Sequence, residues 1–139
     1  MATAKHKDYS GTPLPNKLGI VTAKPKPCEV ALIGAPDSFR NALGELPLAT
    51  FTARVKTTTD LAIVFTRTAQ DVDAAFDLLA AQLPPTASVW IAWPKSRLKP
   101  GFNENHVRDA GLARGLVDYK VCSIDEDWSG LKFAWRKTP

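Results

Sequence analysis

Three short apolar runs, residues 30–33, 61–65 and 89–93, most constrain what this chain can fold into. Each lacks the alternation of polar and apolar residues that marks a strand with one face in water. Uninterrupted runs of this length are typical of strands that are covered on both faces, as in the middle of a parallel sheet. The chain is therefore expected to place helices on both sides of a sheet.

The segments between these runs supply the helices. Asp37 or Ser38 is placed to cap a first helix, and Thr68 with Asp71 resembles a capping box before a second. A third helix is predicted over 104–114, capped by Asn103 and ended by Gly115. Apolar residues follow the first two caps at helical spacing, namely Phe39, Leu43 and Leu46, then Val72, Ala75, Phe76, Leu79 and Leu83.

The first apolar run extends to a strand predicted over 29–34, and further strands are predicted over 50–55, 116–124 and 131–136. A polar turn at 125–130, with Gly130 at positive φ, separates the last two strands and predicts an antiparallel hairpin. Strands that alternate with helices and end in a hairpin predict an α/β fold. We expect a three-layer sandwich around a mostly parallel sheet of about six strands.

The net charge of +4 is distributed unevenly. Residues 1–27 contain five lysines and one aspartate among several prolines, whereas 28–139 contain equal numbers of basic and acidic side chains. This predicts a basic N-terminal arm over 1–27 and a single α/β domain over 28–139. Because the excess charge is confined to the arm, specific nucleic-acid recognition is not expected.

Several functional classes have no support in the sequence. No apolar run approaches the roughly 18 residues of a membrane span, and no secretory signal is recognisable. Cys28, Cys122, His6 and His106 form no metal-ligand spacing, so no metal and no other cofactor is expected. Two scattered cysteines predict reduced thiols in a cytoplasmic protein. No serine or cysteine lies in a recognisable nucleophile motif.

The order of elements, with its terminal hairpin, resembles a shortened class I methyltransferase sheet. Methyltransferases bring a glycine-rich turn close to S-adenosylmethionine, but here the turn reads Gly34-Ala35-Pro36. They also bind the ribose hydroxyls with an acidic residue after the second strand, where this chain has Arg54-Val55-Lys56. The resemblance therefore implies the fold and leaves the activity open.

A second resemblance covers most of the chain. The motifs that carry it are YSGTPL at 9–14, KLGI at 17–20, WPK at 93–95, ENHVR at 104–108, GLVDYKVC at 115–122 and DEDWSGLK at 125–132. They resemble the bacterial domain-of-unknown-function family 3052. This resemblance implies a relative in fold and brings no mechanism with it.

Ligands of open parallel sheets bind beyond the carboxyl ends of the strands, near the switch in strand order. Loops 34–38, 66–68, 94–105 and 125–128 are expected to meet there. The candidate ligand-binding residues on these loops and on the following helix are Asp37, Arg67, Trp93, Lys95, Arg97, Asn105, Arg108, Asp125 and Trp128.

These candidates have alternative interpretations. One interpretation is an anion site, formed by the start of the helix at 104 together with Arg67, Lys95 and Arg97. The alternative is that these three side chains form a solvated basic surface. Asp125 would serve acid–base chemistry or clamp a ligand, or it caps backbone N–H groups in a hairpin turn. Trp128, like Trp93, would stack on a planar ligand or pack in the core.

Three functional hypotheses remain open for this chain. The first is a non-catalytic module that binds a small anionic ligand or a protein partner, which the glycine-poor turn after the first strand favours. The alternative is a reduced methyltransferase-like enzyme or sensor of a nucleotide-like ligand. The third is an interaction protein that uses the basic arm, for example to form a homo-oligomer.

Overall fold

The computed structural model of this protein describes residues 18, 20, 28–43, 49–96, 98, 99, 102 and 104–136. In chain order its elements are β1 (Cys28–Ile33), α1 (Asp37–Leu43), β2 (Ala49–Thr52), β3 (Leu61–Phe65), α2 (Ala69–Gln82), β4 (Ser88–Pro94), α3 (Glu104–Leu112), β5 (Leu116–Ser123) and β6 (Trp128–Trp135). None of the helices in this described part of the chain is long and apolar enough to cross a membrane.

The strands form one sheet in the order β2-β1-β3-β4-β6-β5. Strands β1 to β4 pair in parallel, and β6 pairs antiparallel with both β4 and β5. The structure thus confirms the predicted α/β fold, with a six-stranded, mostly parallel sheet that ends in an antiparallel hairpin.

Apolar clusters cover the two faces of the sheet. On one face the residues of α2 and α3, including Phe76 and Val107, pack with Trp93 of β4. On the other face Phe39 of α1 packs in a cluster that contains Trp90. The two tryptophans point to opposite faces, as their spacing predicts, and the three-layer arrangement is confirmed.

The start of α2 also agrees with the sequence prediction. The Thr68 Oγ1 accepts the Asp71 N–H at 3.0 Å, and the Asp71 Oδ2 accepts the Thr68 N–H at 3.2 Å, which is a capping box. The apolar stripe of this helix is buried along its whole length, in the order Val72, Ala75, Phe76, Leu79 and Leu83.

Some predicted boundaries were wrong. Strand β2 ends at Thr52 rather than at residue 55, because the chain turns there and buries Val55 in the cluster that contains α2. Helix α3 ends at Leu112, two residues early. The basic arm lies outside the described residues, except that Leu18 and Ile20 are buried. Leu46 and Asn103, predicted as a core residue and a cap, also lie outside them.

The prediction for Gly130 was wrong as well. Strand β6 begins at Trp128, so Gly130 lies inside the strand, and the glycines with positive φ in the described residues are Gly34 and Gly115. A Cβ at Gly130 would lie 2.8 Å from the Cδ1 of Ile124 and 3.1 Å from the Cε3 of Trp90. The side chains of Ile124 and Trp90 fill the space that a Cβ at position 130 would need. Glycine is therefore required here by packing and not by a positive φ.

Candidate functional site

The strand order places a switch point at the carboxyl end of the sheet. From β1 the chain leads to β2 on one side, and β3 then pairs with β1 on the other side. The crevice outside the carboxyl ends of β1 and β3 is where open α/β sheets bind ligands. The loops that follow these two strands are therefore the first place to look for a site.

Gly34 makes the first turn and lies close to the end of β3. Its φ is +71°, a left-handed conformation that glycine adopts without strain. A Cβ at this position would lie 3.1 Å from the backbone oxygen of Phe65 and 3.7 Å from the Nη1 of Arg67. The side of the turn that faces β3 is therefore already filled by protein atoms.

Arg67 connects this turn to the hairpin. Its Nη2 donates to the Gly34 carbonyl oxygen at 3.1 Å, and its Cζ lies 5.2 Å from the ring centroid of Trp128. The Trp128 ring in turn packs edge-on against Phe65, with 4.9 Å between the ring centroids. We call Gly34, Phe65, Arg67 and Trp128 the switch-point cluster. It joins three of the four loops that the sequence predicted to meet.

The fourth predicted loop joins the hairpin through its backbone, where the Lys95 N–H donates to the Asp127 carbonyl oxygen at 2.8 Å. The Lys95 ammonium donates to the Ser123 hydroxyl at 2.5 Å. A cleft of about 420 Å³ opens beside it, lined by Trp93, Lys95, Ser96, Phe102, Glu104 and Ser129. A ligand contact from Lys95 would be made in this cleft. Arg97 lies outside the described residues.

Asp125 acts within the hairpin turn. Its Oδ1 accepts the N–H of Asp127 at 2.8 Å and that of Trp128 at 2.9 Å. This confirms the turn interpretation of Asp125, whose carboxylate positions Trp128 in the switch-point cluster. Trp93 is 5 % exposed and packs in the core, whereas Trp128 is only partly buried.

Arg108 is held on the side of α3 that faces β5. Its Nε donates to the Asp118 carboxylate at 2.9 Å, and its guanidinium also pairs with Glu104 one helical turn earlier. Hydrogen bonds to Glu104 and then Asp118 raise the pKa of Arg108 above its ordinary value. The Asn105 Oδ1 accepts from the Arg108 Nη1 at 3.0 Å. The structure thus places Arg108 and Asn105 in an ion-pair network with Asp118, which the sequence pattern did not reveal, and not in the switch-point cluster.

Asp37 stands in the first turn of α1, three residues after Gly34, with an exposed side chain. Asp125, the other candidate carboxylate, lies equally near the switch-point cluster in sequence, three residues before Trp128. The described residues hold no group of His, Cys, Asp and Glu that could bind a metal ion.

The residues around the switch point do not fit S-adenosylmethionine as methyltransferases bind it. After β2 the chain continues with Ala53, Arg54, Val55 and Lys56, so the ribose-binding carboxylate has no counterpart there. The Arg67 guanidinium also occupies the approach to the Gly34 turn. A sulfonium cation placed at this turn would face another cation.

Similarity to known proteins is found at the level of structure. No family model and no curated protein matches this chain. A structure assigned to the type 11 methyltransferases of Sulfolobus solfataricus matches with a TM-score of 0.60 and 10% identity, covering 90% of each chain. A SAM-dependent methyltransferase from Aquifex aeolicus matches with a TM-score of 0.58 and 12% identity over 88% of each chain. A TehB-like SAM-dependent methyltransferase from Corynebacterium glutamicum has a TM-score of 0.54 at 12% identity, covering 86% of this chain and 87% of that one.

These similarities show a methyltransferase-like, Rossmann-type fold. They also correct the main functional prediction from the sequence, a non-catalytic module for an anionic ligand or a protein partner. The three structures named above are of methyltransferases, and they favour the alternative prediction, a reduced methyltransferase-like enzyme or sensor, over the non-catalytic module. The resemblance to family 3052 is not confirmed, because no family model matches.

Proposed function

We propose that this chain is a reduced methyltransferase-like protein that acts on or senses a nucleotide-like ligand at the switch-point cluster. The observation that carries this proposal is the contact of Arg67 with both Gly34 and Trp128, at the point where the strand order reverses. In this architecture ligands bind at that point. The similarity in fold to methyltransferase structures supports the same location.

The cluster offers the two kinds of contact that a nucleotide-like ligand needs. Trp128 is a partly exposed aromatic side chain, which provides apolar surface for a base. The exposed Arg67 guanidinium provides N–H donors for a polar group. Membership of the bacterial family 3052 and a cytoplasmic location belong to the same proposal, since they rest on sequence resemblance and cysteine usage.

Binding of unlabelled ligands to the ¹⁵N-labelled protein tests the proposal. S-adenosylmethionine, S-adenosylhomocysteine, adenosine, AMP and ADP are added in turn, and the indole N–H signals of the four tryptophans are followed. We expect at least one ligand to shift the Trp128 signal and to leave that of Trp135, at the other end of β6, unchanged.

Thermal melting provides an independent measure of the same binding. A ligand at 100 times its Kd should stabilise the protein by about 2.7 kcal/mol. Absence of both a Trp128 shift and a melting shift with all five compounds would refute the proposal. A shift of Trp135 alone would place the site elsewhere and refute it equally.

A further inference from the structure

The Arg67 side chain is held in place by contacts that do not include a carboxylate of the described residues. Its backbone N–H donates to the Asp71 carboxylate at 2.9 Å, which anchors the residue to the start of α2. Its guanidinium donates to the Gly34 carbonyl oxygen and lies over the ring of Trp128. Among the described residues no carboxylate forms an ion pair with Arg67.

Arg108 in α3 and Arg114, two residues after the end of α3, show the contrast. Arg108 is bound by two carboxylates, and the Nε of Arg114 donates to Asp77 at 2.8 Å. A guanidinium has five N–H donors in a planar fork, so Arg67 keeps donors that the Gly34 oxygen does not use. A phosphate would be a stronger partner than a carbonyl oxygen, because it is charged and accepts two parallel hydrogen bonds.

Acidic side chains at the same edge of the sheet would oppose the binding of a phosphate. The Asp71 Oδ2 and the Asp125 Oδ1 each accept backbone N–H groups. Asp37, Glu126 and Asp127 are exposed, where salt screens their effect on a bound anion. Arg67, by contrast, is in direct contact with the Gly34 turn.

Given the proposed function, on which this step rests, we infer that the ligand is a nucleoside phosphate and that Arg67 binds its phosphate group. The phosphate takes the place of the Gly34 carbonyl oxygen as the acceptor of the guanidinium donors. Trp128 keeps the guanidinium plane oriented by stacking on it. The same arrangement disfavours a sulfonium ligand, because the ligand cation would lie beside the Arg67 cation.

Isothermal titration of the full chain with adenosine, AMP, ADP and inorganic pyrophosphate tests this inference. We expect ADP or AMP to bind at least tenfold more tightly than adenosine, and pyrophosphate to bind more weakly than ADP. In Arg67→Ala this advantage of the phosphorylated ligand should disappear while adenosine binds as before. Arg67→Lys, which keeps the charge but loses the planar fork, should retain part of the advantage.

Arg40→Ala is a matched control, because the Arg40 Cζ also lies 5.2 Å from an aromatic ring centroid, that of Phe51, but outside the switch-point cluster. It should leave all four affinities unchanged. If adenosine and ADP bind equally, or if Arg67→Ala weakens both alike, the inference is overturned while the proposed function stands. Pyrophosphate that binds as tightly as ADP would also overturn it, because the site would then recognise free phosphate. If adenosine, AMP and ADP all fail to bind, the inference is overturned, and the proposed function fails as well when S-adenosylmethionine and S-adenosylhomocysteine also fail to bind.

Discussion

Replacing Gly111 by alanine should destabilise this protein, although the same change stabilises most helices. Gly111 is buried in α3 against Phe133 of β6. A Cβ at this position would overlap the Cε2 of Phe133 and lie 2.9 Å from its Cδ2 and 3.0 Å from its Cζ. Carbon atoms in packed contact lie about 3.5–4.0 Å apart. Phe133 is fully buried and packs edge-on against Phe76, with 5.0 Å between the centroids, so its ring has no free space to move into.

The expected magnitude follows from two opposing contributions. Helix propensity favours alanine over glycine by about 1 kcal/mol. Overpacking of a core costs about 1–3 kcal/mol, and a trapped ring is at the upper end of that range. We therefore expect Gly111→Ala to lower the free energy of unfolding by about 1–2 kcal/mol, and Tm by roughly 3–7 °C. Urea unfolding followed by tryptophan fluorescence measures this directly, with an unchanged m value.

A double-mutant cycle with Phe133→Leu separates the clash from other effects of the substitution. Leucine lacks the Cε2 and Cζ, which are two of the three ring atoms that the new Cβ would meet. In that background Gly111→Ala should raise the free energy of unfolding by up to about 1 kcal/mol, because the helix propensity is then unopposed. If Gly111→Ala is neutral or stabilising in the wild-type chain, or if the sign does not reverse, the packing of α3 on β6 described above is wrong.

Three further changes are tested by the same unfolding assay. Gly34→Ala should lower the free energy of unfolding by about 1 kcal/mol more than Gly115→Ala. Both glycines have positive φ, but only a Cβ at position 34 would lie 3.1 Å from a backbone oxygen. Equal losses for the two variants would contradict this reasoning. Thr68→Ala should cost about 1 kcal/mol through loss of the capping box, and no loss would refute that role. Trp90→Phe should cost about 1–3 kcal/mol, because the buried indole donor to the Leu18 carbonyl oxygen, at 2.8 Å, is removed; a neutral effect would contradict this.

The parts of the fold that could be predicted depend on local patterns. The run Leu61–Phe65 is buried at every position, and the capping box before α2 is formed by residues three apart. The end of β2 could not be predicted, because Val55 continues the alternation of the strand but packs in the cluster that contains α2. The reason for Gly130 was equally hidden, since it is set by the side chains of Ile124 and of Trp90 on the neighbouring strand.

The site was predictable in position but not in its contacts. Strand order alone brings the right loops to one edge of the sheet, and Asp125 in a polar turn is a local signal. The orientation of Arg108 depends on Asp118, a strand residue across from α3, and helical spacing does not reveal such a partner. The partners of Arg67 are also distant in sequence, since Gly34 lies 33 positions before it.

The glycine-poor turn misled the functional prediction for a reason that the geometry makes clear. One glycine at φ +71° is enough to make the turn, so the missing glycines do not prevent a site there. The misfit to the usual cofactor arrangement lies in the missing carboxylate after β2 and in the Arg67 guanidinium against the turn, and a pattern of glycines reports neither. Because the sheet sets where a ligand lies and the side chains at its edge set which ligand binds, the charge at the Gly34 turn is the better guide to the chemistry. Arg67 is therefore the residue on which an assignment of function to this chain depends most.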